Sequence, residues 1–99
     1  MRMEAAPPGC AFEMIVEDVF SLQEGRTMFV GEVGGTSRVI PPCECELLID
    51  DTVRTRFRLD GEWIHPIPKT GWRSVSTSDR IDLDLVRNNK GRCKLRGLG

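Results

Sequence analysis

Residues 43–59 of this chain read CECELLIDDTVRTRFRL and contain two stretches of alternating side chains separated by an acidic turn. In the first stretch every second residue is apolar, and the residues between are mostly glutamates. In the second stretch apolar or small residues alternate with three arginines. A period of two in neighbouring segments predicts a pair of antiparallel strands, 43–49 and 53–59, each with one buried face.

The turn between these strands decides which residues face each other across the pair. A three-residue loop at 50–52 makes both faces agree, with apolar side chains on one and opposite charges on the other. A two-residue loop would instead place glutamates on the apolar face. The three-residue loop requires a left-handed backbone at Asp51 or Thr52, which Asp tolerates better than Thr. The predicted opposite pairs are Leu47 and Thr55, Cys45 and Phe57, Glu46 and Arg56, and Glu44 and Arg58.

Four further segments have the composition of strands. They span residues 12–22, 27–33, 81–86 and 92–96. The last two are predicted to form a hairpin in which Asp82 and Asp84 face basic residues. Residues 61–78 contain two prolines and two glycines, and we predict a long loop there.

Six short strands without a sustained helical period define the predicted fold class. The chain is predicted to be all-β, a small six-stranded, Greek-key-like barrel that is closed or partly open. Its 99 residues suit one domain, which we assign to residues 12–99. Residues 1–11 contain two adjacent prolines and no periodicity, and they are predicted to be a flexible N-terminal arm.

The composition argues against several classes of protein. Charged residues make up 29% and hydrophobic residues 39% of the chain, as in soluble globular domains. The sequence shows neither a run of about 20 apolar residues nor the apolar segment of a signal peptide, so a cytoplasmic location without membrane contact is predicted. A net charge of −1 provides no strong non-specific attraction to nucleic acid.

Few residues could carry catalysis or metal binding. The four cysteines, at positions 10, 43, 45 and 93, lack the C-x-x-C spacing of many zinc sites. A zinc site would need distant cysteines or His65 to converge, and the alternative is that the cysteines are small buried side chains. His65 is the single histidine, and a catalytic role would need a partner placed by the fold. We therefore predict no enzyme, no metal and no cofactor.

The first candidate binding group is aromatic. Trp63, His65 and Trp72 lie in the predicted 61–78 loop. Long loops in compact domains are often functional, and tryptophan is enriched at the centres of protein interfaces. Stacking of nucleic-acid bases on the same rings is also compatible with the sequence. The alternative is that one or both tryptophans cover an open end of the barrel.

The second candidate group is basic. Arg54, Arg56 and Arg58 form a ladder on one side of one strand. Such a ladder suits a phosphate backbone or an acidic partner. The alternative is a solvated face that the neighbouring glutamates neutralise, where each ion pair contributes little.

Residues 18–33, DVFSLQEGRTMFVGEV, resemble the opening hairpin of the second domain of translation GTPases of the elongation factor Tu type. The family pattern there is close to D-V-F-S-I-x-G-x-G-T-V-V-x-G-x-V. The identical residues are Asp18, Val19, Phe20, Ser21, Thr27, Gly31 and Val33, and Leu22 is a conservative match. Residues 95–97, L-R-G, are similar to the end of the same domain. The resemblance implies one whole copy of that six-stranded, partly Greek-key barrel.

Departures from the family pattern restrict what the resemblance implies about activity. Glu24 and Arg26 replace the paired glycines of the first turn, and Pro41 and Pro42 stand where the family has Gly-Asp. No G-x-x-x-x-G-K-[ST] occurs in the chain, so the phosphate-binding loop of a GTPase is missing. In the family, this domain packs on a GTPase domain and helps to grip tRNA or other partners.

The sequence therefore predicts a stand-alone, translation-factor-like barrel that acts as a non-catalytic binding module. Its first predicted role is a protein-binding adaptor or inhibitor that contacts its partner through the 61–78 loop. The alternative is an RNA-, tRNA- or ribosome-associated accessory domain that uses the arginine ladder and the basic strand 92–96. The chain is predicted to be a monomer or a weak homodimer joined by edge pairing.

Overall fold

The computed structural model describes residues 12–35, 39–63 and 71–98, and the predicted arm at 1–11 lies outside them. The described residues form one antiparallel sheet of seven strands, so the predicted all-β class is confirmed. In chain order the elements are β1 (Glu13–Ser21), a 3₁₀ turn (Gln23–Gly25), β2 (Thr27–Gly34), β3 (Cys43–Ile49), β4 (Thr52–Leu59), β5 (Gly61–Trp63), β6 (Trp72–Thr77), α1 (Leu83–Arg87) and β7 (Cys93–Gly97).

The two edge strands of the sheet are consecutive in the chain. The strand order is β4-β3-β7-β1-β2-β6-β5, with non-sequential neighbours as in Greek-key arrangements. The chain bends between β4 and β5 at Gly61, whose φ of 123° favours glycine. Beside the bend, the Asp60 N–H donates to the Ser76 carbonyl at 2.7 Å, and the Thr77 hydroxyl donates to the Arg58 carbonyl at 2.6 Å. One bent segment thus supplies both edges, and the sheet curves into a partly open barrel. The described residues thus contain seven strands, where the sequence predicted six.

The predicted register of β3 and β4 is confirmed, although the turn that produces it differs from the prediction. All four predicted opposite pairs are present. The loop itself has two residues, Asp50 and Asp51, with φ values of 52° and 64°. Positive φ at both positions matches the two-residue turns whose twist suits a hairpin. A bulge after Leu47 supplies the extra residue that restores the register.

The prediction of a strand at 81–86 is wrong, because residues 83–87 form the helix α1. The side chain of Asp82 caps the helix by accepting a hydrogen bond from the Leu85 N–H at 3.2 Å. Strand β7 pairs with β1 and β3, so Asp82 and Asp84 do not face basic residues across a hairpin. The apolar residues of IDLDLV fit both the period of two of a strand and the helical period of about 3.6. The capping aspartate and the burial of Val86 favour the helix. No helix among the described residues is long and apolar enough to cross a bilayer.

The prediction of a long loop over 61–78 is also wrong at both of its ends. Residues 61–63 form β5 and residues 72–77 form β6, which pairs with β2 along its whole length. The glycines mark the ends of these strands instead of interrupting them. Gly61 is the first residue of β5 and lies at the bend, and Gly71, with a φ of 92°, directly precedes β6. Residues 64–70, which contain both prolines, lie outside the described part of the chain.

The core contains side chains from nearly every strand, together with Val86 of α1. Phe29 and Phe57 stack across it with ring centroids 5.7 Å apart. Cys45 and Cys93 are buried free thiols. Burial raises the pKa of Cys93 to about 11 and raises that of Cys45 further, so both thiols stay protonated at neutral pH. They fill space as small apolar side chains.

Candidate functional site

The outer side of β5, β6, β2 and the end of β1 carries large apolar side chains. Val19, Phe29 and Val75 face the core, so their neighbours along each strand face outward. Cross-strand pairing aligns these neighbours in two rows. The first row consists of Asp18, Val30, Ser74 and Trp63. The second row consists of Phe20, Met28, Ser76 and Gly61. We name this surface the tryptophan face, and its apolar members are Phe20, Met28, Val30, Trp63 and Trp72.

Trp63 is held in place on this face and remains partly exposed. Its indole Nε1 donates a hydrogen bond to the Ser76 hydroxyl at 2.7 Å, so the ring lies across the outer side of β6. The guanidinium carbon of Arg26 lies 6.0 Å from the ring centroid, within the range of a cation–π contact. With 38% of the residue exposed, the ring is both oriented and accessible. Trp63 therefore lies on the outer side of the sheet.

The second tryptophan lies on the same side of β6. Trp72 precedes Ser74 by two residues and therefore points to the same face, opposite Glu32 of β2. Ser74 and Ser76 are each 1% exposed, so other atoms of the chain cover these two outward positions on β6. The structure thus brings Trp63 and Trp72 together on the tryptophan face, with a sheet beneath them where the sequence predicted a loop.

A shallow groove runs beside Trp63. It has a volume of about 320 Å³ and is lined by Leu22, Gln23, Glu24, Arg26 and Trp63. The 3₁₀ turn that forms one wall depends on a positive φ at Glu24 and Gly25. The groove can receive an apolar side chain against the indole, with charged groups of both signs at its rim.

An ion pair fixes the strand that carries Trp63. The Arg73 Nε and Nη2 atoms donate to the two Glu62 carboxylate oxygens at 2.8 and 2.6 Å. Glu62 also accepts a hydrogen bond from the Ile40 N–H at 2.9 Å. Burial of the Glu62 carboxyl works to raise its pKa, but the bonds from Arg73 and Ile40 outweigh it and the pKa is lowered. This network holds β5 against β6 and so restricts the position of Trp63.

Most of the arginine ladder is engaged by neighbouring glutamates. Arg56 lies 3.4 Å from Glu46, and Arg58 lies 3.6 Å from Glu44. Glu46 also accepts a 2.8 Å hydrogen bond from Arg96 of β7. The bond from Arg96, followed by the charges of both arginines, lowers the pKa of the Glu46 carboxyl. This part of the surface is an alternating charge ladder across three strands.

Arg54 differs from the other two arginines. It lies at the bulge of β4, is exposed, and has no ion pair among the described residues. The arginines lie on one edge of the sheet order, and the tryptophan face lies at the other. The two candidate groups thus lie on different strands, although the bend between β4 and β5 brings Arg58 beside Thr77 of β6.

The remaining candidate, His65, lies outside the described residues. Within the described ranges, no group of three or more His, Cys, Asp or Glu side chains is placed to hold a metal ion. The predictions of no enzyme and no cofactor stay predictions.

Sequence reasoning missed Phe20, Met28 and Val30 as members of the site. Their signal is an apolar residue at a position where the alternation of β1 or β2 calls for a polar one. Phe20 is 43% exposed, which is unusual for a large aromatic side chain on the solvent side of a strand. Val30 is 7% exposed and is therefore covered within the chain itself, so Phe20 and Met28 are the two of these residues that add exposed apolar area to the tryptophan face.

Comparisons of the chain with protein-family models, curated proteins and solved structures give no match. The relationship to the elongation factor Tu barrel therefore stays a prediction that rests on residues 18–33 and 95–97.

Proposed function

We propose that this chain is a non-enzymatic β-barrel module that binds another protein through the tryptophan face. The observation that carries the proposal is the state of Trp63, whose ring is oriented by Ser76 and Arg26 yet remains partly exposed. An aromatic side chain fixed before binding loses little entropy on association. Tryptophan is one of the residue types that are enriched among interface hot spots.

The surroundings of Trp63 support a protein as the partner. Exposed Phe20 and the outward Met28 extend the apolar area along the neighbouring strands. The rim contains acidic and basic groups, with Arg26 lying 4.0 Å from Asp60. An apolar centre with a rim of mixed charge is typical of protein interfaces, whereas nucleic-acid interfaces are strongly basic.

The proposal includes an adaptor or inhibitor role for a stand-alone barrel of the translation-factor type. It also includes the cytoplasmic location predicted from the composition, with a monomer or weak homodimer as the working unit. The alternative, an RNA- or ribosome-associated domain, has less support because Glu44 and Glu46 engage Arg58 and Arg56. Asp50 likewise engages Arg92 of the basic segment 92–96 at 2.6 Å.

The proposal is tested by affinity capture from a native lysate at low and high salt, with and without ribonuclease. The variants are Trp63→Ala, which removes the ring, and Ser76→Ala, which removes the hydrogen bond that orients it. Val53→Ala serves as the control, because Val53 is 44% exposed beside the turn between β3 and β4 and is not a member of the tryptophan face. Circular dichroism of each variant verifies that the fold is retained.

A protein captured by the wild type and Val53→Ala at both salt concentrations, and lost with Trp63→Ala, supports the proposal. We expect Ser76→Ala to give intermediate capture. Capture of RNA that is lost at high salt and with Arg54→Glu would favour the alternative, because phosphate contacts are strongly salt-dependent. Equal capture by the wild type and Trp63→Ala would refute the tryptophan face as the binding surface.

A further inference from the structure

Strand β4 has one hydrogen-bonded neighbour, β3, because it stands at the end of the sheet order. The Leu98 N–H donates to the Glu44 carbonyl at 2.9 Å, so this group of Glu44 points away from β4. In an antiparallel ladder, the peptide groups of its opposite residue, Arg58, then point away from β3. The chain satisfies them itself, since the Arg58 N–H donates to Asp79 at 2.8 Å and its carbonyl accepts from Thr77.

The same edge is open two residues earlier. The direction of the peptide groups repeats at every second residue of an antiparallel strand. The peptide N–H and carbonyl of Arg56 therefore point away from β3, as those of Arg58 do. Its carbonyl has a 3.5 Å contact from the Thr55 hydroxyl, and its N–H has no partner among the described residues. Strand β4 therefore presents free main-chain groups before the point at which Asp79 and Thr77 cover the edge. Free main-chain groups on an edge can template the addition of another strand.

An apolar groove runs along this open edge. Its volume is about 470 Å³, and it lies between the inner side of β4 and the segment that leads into α1. The lining residues are Leu47, Thr55, Arg80, Ile81, Asp82 and Leu85. The carboxylate of Asp82 is engaged in capping α1. The groove therefore offers an apolar floor beside unpaired main-chain groups, at the place where the barrel is not joined.

The outer side of the same edge is basic. The side chains of Arg56 and Arg58 are 67% and 61% exposed despite their ion pairs, so each can meet a second carboxylate. Arg54 on the strand and Arg80 at the rim of the groove have no acidic partner among the described residues. A strand added at this edge would direct alternate side chains into the groove and alongside the arginines.

We propose that the open edge of β4 binds an extended segment of another protein in which acidic residues alternate with apolar ones. The main chain of the segment pairs with β4 near Arg56, its apolar side chains enter the groove, and its carboxylates meet the arginines. A second copy of this chain does not fit, because pairing two β4 edges sets arginines against arginines. The residues that carry this proposal are not members of the tryptophan face, and the proposal does not depend on that face.

The test measures fluorescence anisotropy of a short labelled peptide in which Glu alternates with Val. Two control peptides have the same length: one places all Glu before all Val, and the other replaces Glu with Lys. Arg56→Pro removes the free N–H and costs no ladder bond to β3, as proline is tolerated at such edge positions. Arg56→Ala is its matched control, because it removes the guanidinium but keeps the N–H. Amide NMR spectra of the labelled protein locate the binding site.

We expect saturable binding of the alternating acidic peptide, with amide shifts at Val53, Arg56 and Leu85. Arg56→Pro should bind about tenfold more weakly than Arg56→Ala, the effect of one main-chain hydrogen bond. The double variant Arg54→Glu/Arg80→Glu, which does not depend on proline being tolerated, should lose the Glu peptide and gain the Lys peptide. Trp63→Ala should bind the peptide as the wild type does, whatever the fate of the tryptophan-face proposal.

Four results would overturn the proposal. The first is an absence of saturable peptide binding up to about 1 mM, and the second is equal affinity of the protein for the alternating and block peptides. The third is equal peptide affinity of Arg56→Pro and Arg56→Ala, and the fourth is a set of amide shifts confined to the tryptophan face. Self-association that Arg56→Pro abolishes would instead assign the edge to a second copy of the chain.

Discussion

Replacing Gly31 by alanine should destabilise the barrel more than any other glycine-to-alanine change in β2. Gly31 lies opposite Val16, where β1 has a bulge at Glu17. A Cβ at Gly31 would lie 1.9 Å from the carbonyl oxygen of Ile15, a separation that real Cβ atoms do not show. Because the obstacle is backbone, no side-chain rotation relieves it, and β1 must move away from β2.

The geometry sets the size of the effect. Real Cβ atoms stay at least 3.0 Å from other heavy atoms, so the two strands must separate by most of the missing distance. A ladder hydrogen bond of about 2.9 Å that lengthens by about 1 Å no longer qualifies as a hydrogen bond. Overpacking costs about 1–3 kcal/mol and each lost hydrogen bond about 1 kcal/mol more, so we expect a loss of about 3 kcal/mol. In a domain of this size, that loss lowers the Tm by about 15 °C.

The assay is thermal and urea unfolding followed by circular dichroism, with Gly34→Ala as the matched control. Gly34 lies on the same strand, and a Cβ there would meet no atom within 4 Å. Gly34→Ala should be neutral or stabilising by about 0.5 kcal/mol, because alanine reduces the freedom of the unfolded chain. Equal stabilities of Gly31→Ala and Gly34→Ala would show that the two strands do not approach as described.

Three further predictions concern the turn, the buried ion pair and the thiols. Asp51→Gly should raise the free energy of unfolding, measured in urea, by about 0.5–1 kcal/mol. The substitution relieves a left-handed backbone with a φ of 64° and removes only an exposed ion pair. A lower urea midpoint would contradict this. The lowered pKa of Glu62 stabilises the fold above its ordinary carboxyl pKa of 4.5, and this contribution is lost as the pH falls through the lowered value. Thermal melts across that range should therefore show a smaller loss of stability on acidification for Glu62→Gln than for the wild type, and equal losses would contradict the pairing with Arg73. Iodoacetamide at about pH 8 should modify Cys45 and Cys93 far more slowly in the native protein than in urea, because burial keeps both thiols protonated. Mass spectrometry of digested peptides measures the two rates. Similar rates in both conditions would argue against burial of the thiols.

The pairing of β3 and β4 was predictable because each step of the inference is local. Alternation in residues 43–59 assigns every side chain to a face, and matching the two faces leaves one register. The turn was harder to predict, since a two-residue loop with a bulge gives the same register as a three-residue loop. The helix at 83–87 was missed because IDLDLV satisfies two periods at once. Packing of Val86 against the barrel and the Asp82 cap decide between them.

The binding surfaces were only partly predictable. Trp63 and Trp72 were identified from their residue type, but the sequence placed them in a loop. Their common face results from pairing between β5 and β6, together with that between β6 and β2. Which of the three arginines has no ion pair was not readable either, because the bulge that separates Arg54 from Arg56 is a property of the folded hairpin.

Patterns within a few residues therefore establish the all-β class and the faces of β3 and β4, and side-chain chemistry favours the buried apolar role that Cys43, Cys45 and Cys93 have in the structure. These follow from alternation and from side-chain chemistry, which act over one or two residues along the chain. The order of strands, the open edge of β4 and the exposure of Trp63 arise only in the tertiary structure. They depend on hydrogen bonds between segments far apart in sequence, such as Asp60 with Ser76, and local alternation fits many such pairings equally well.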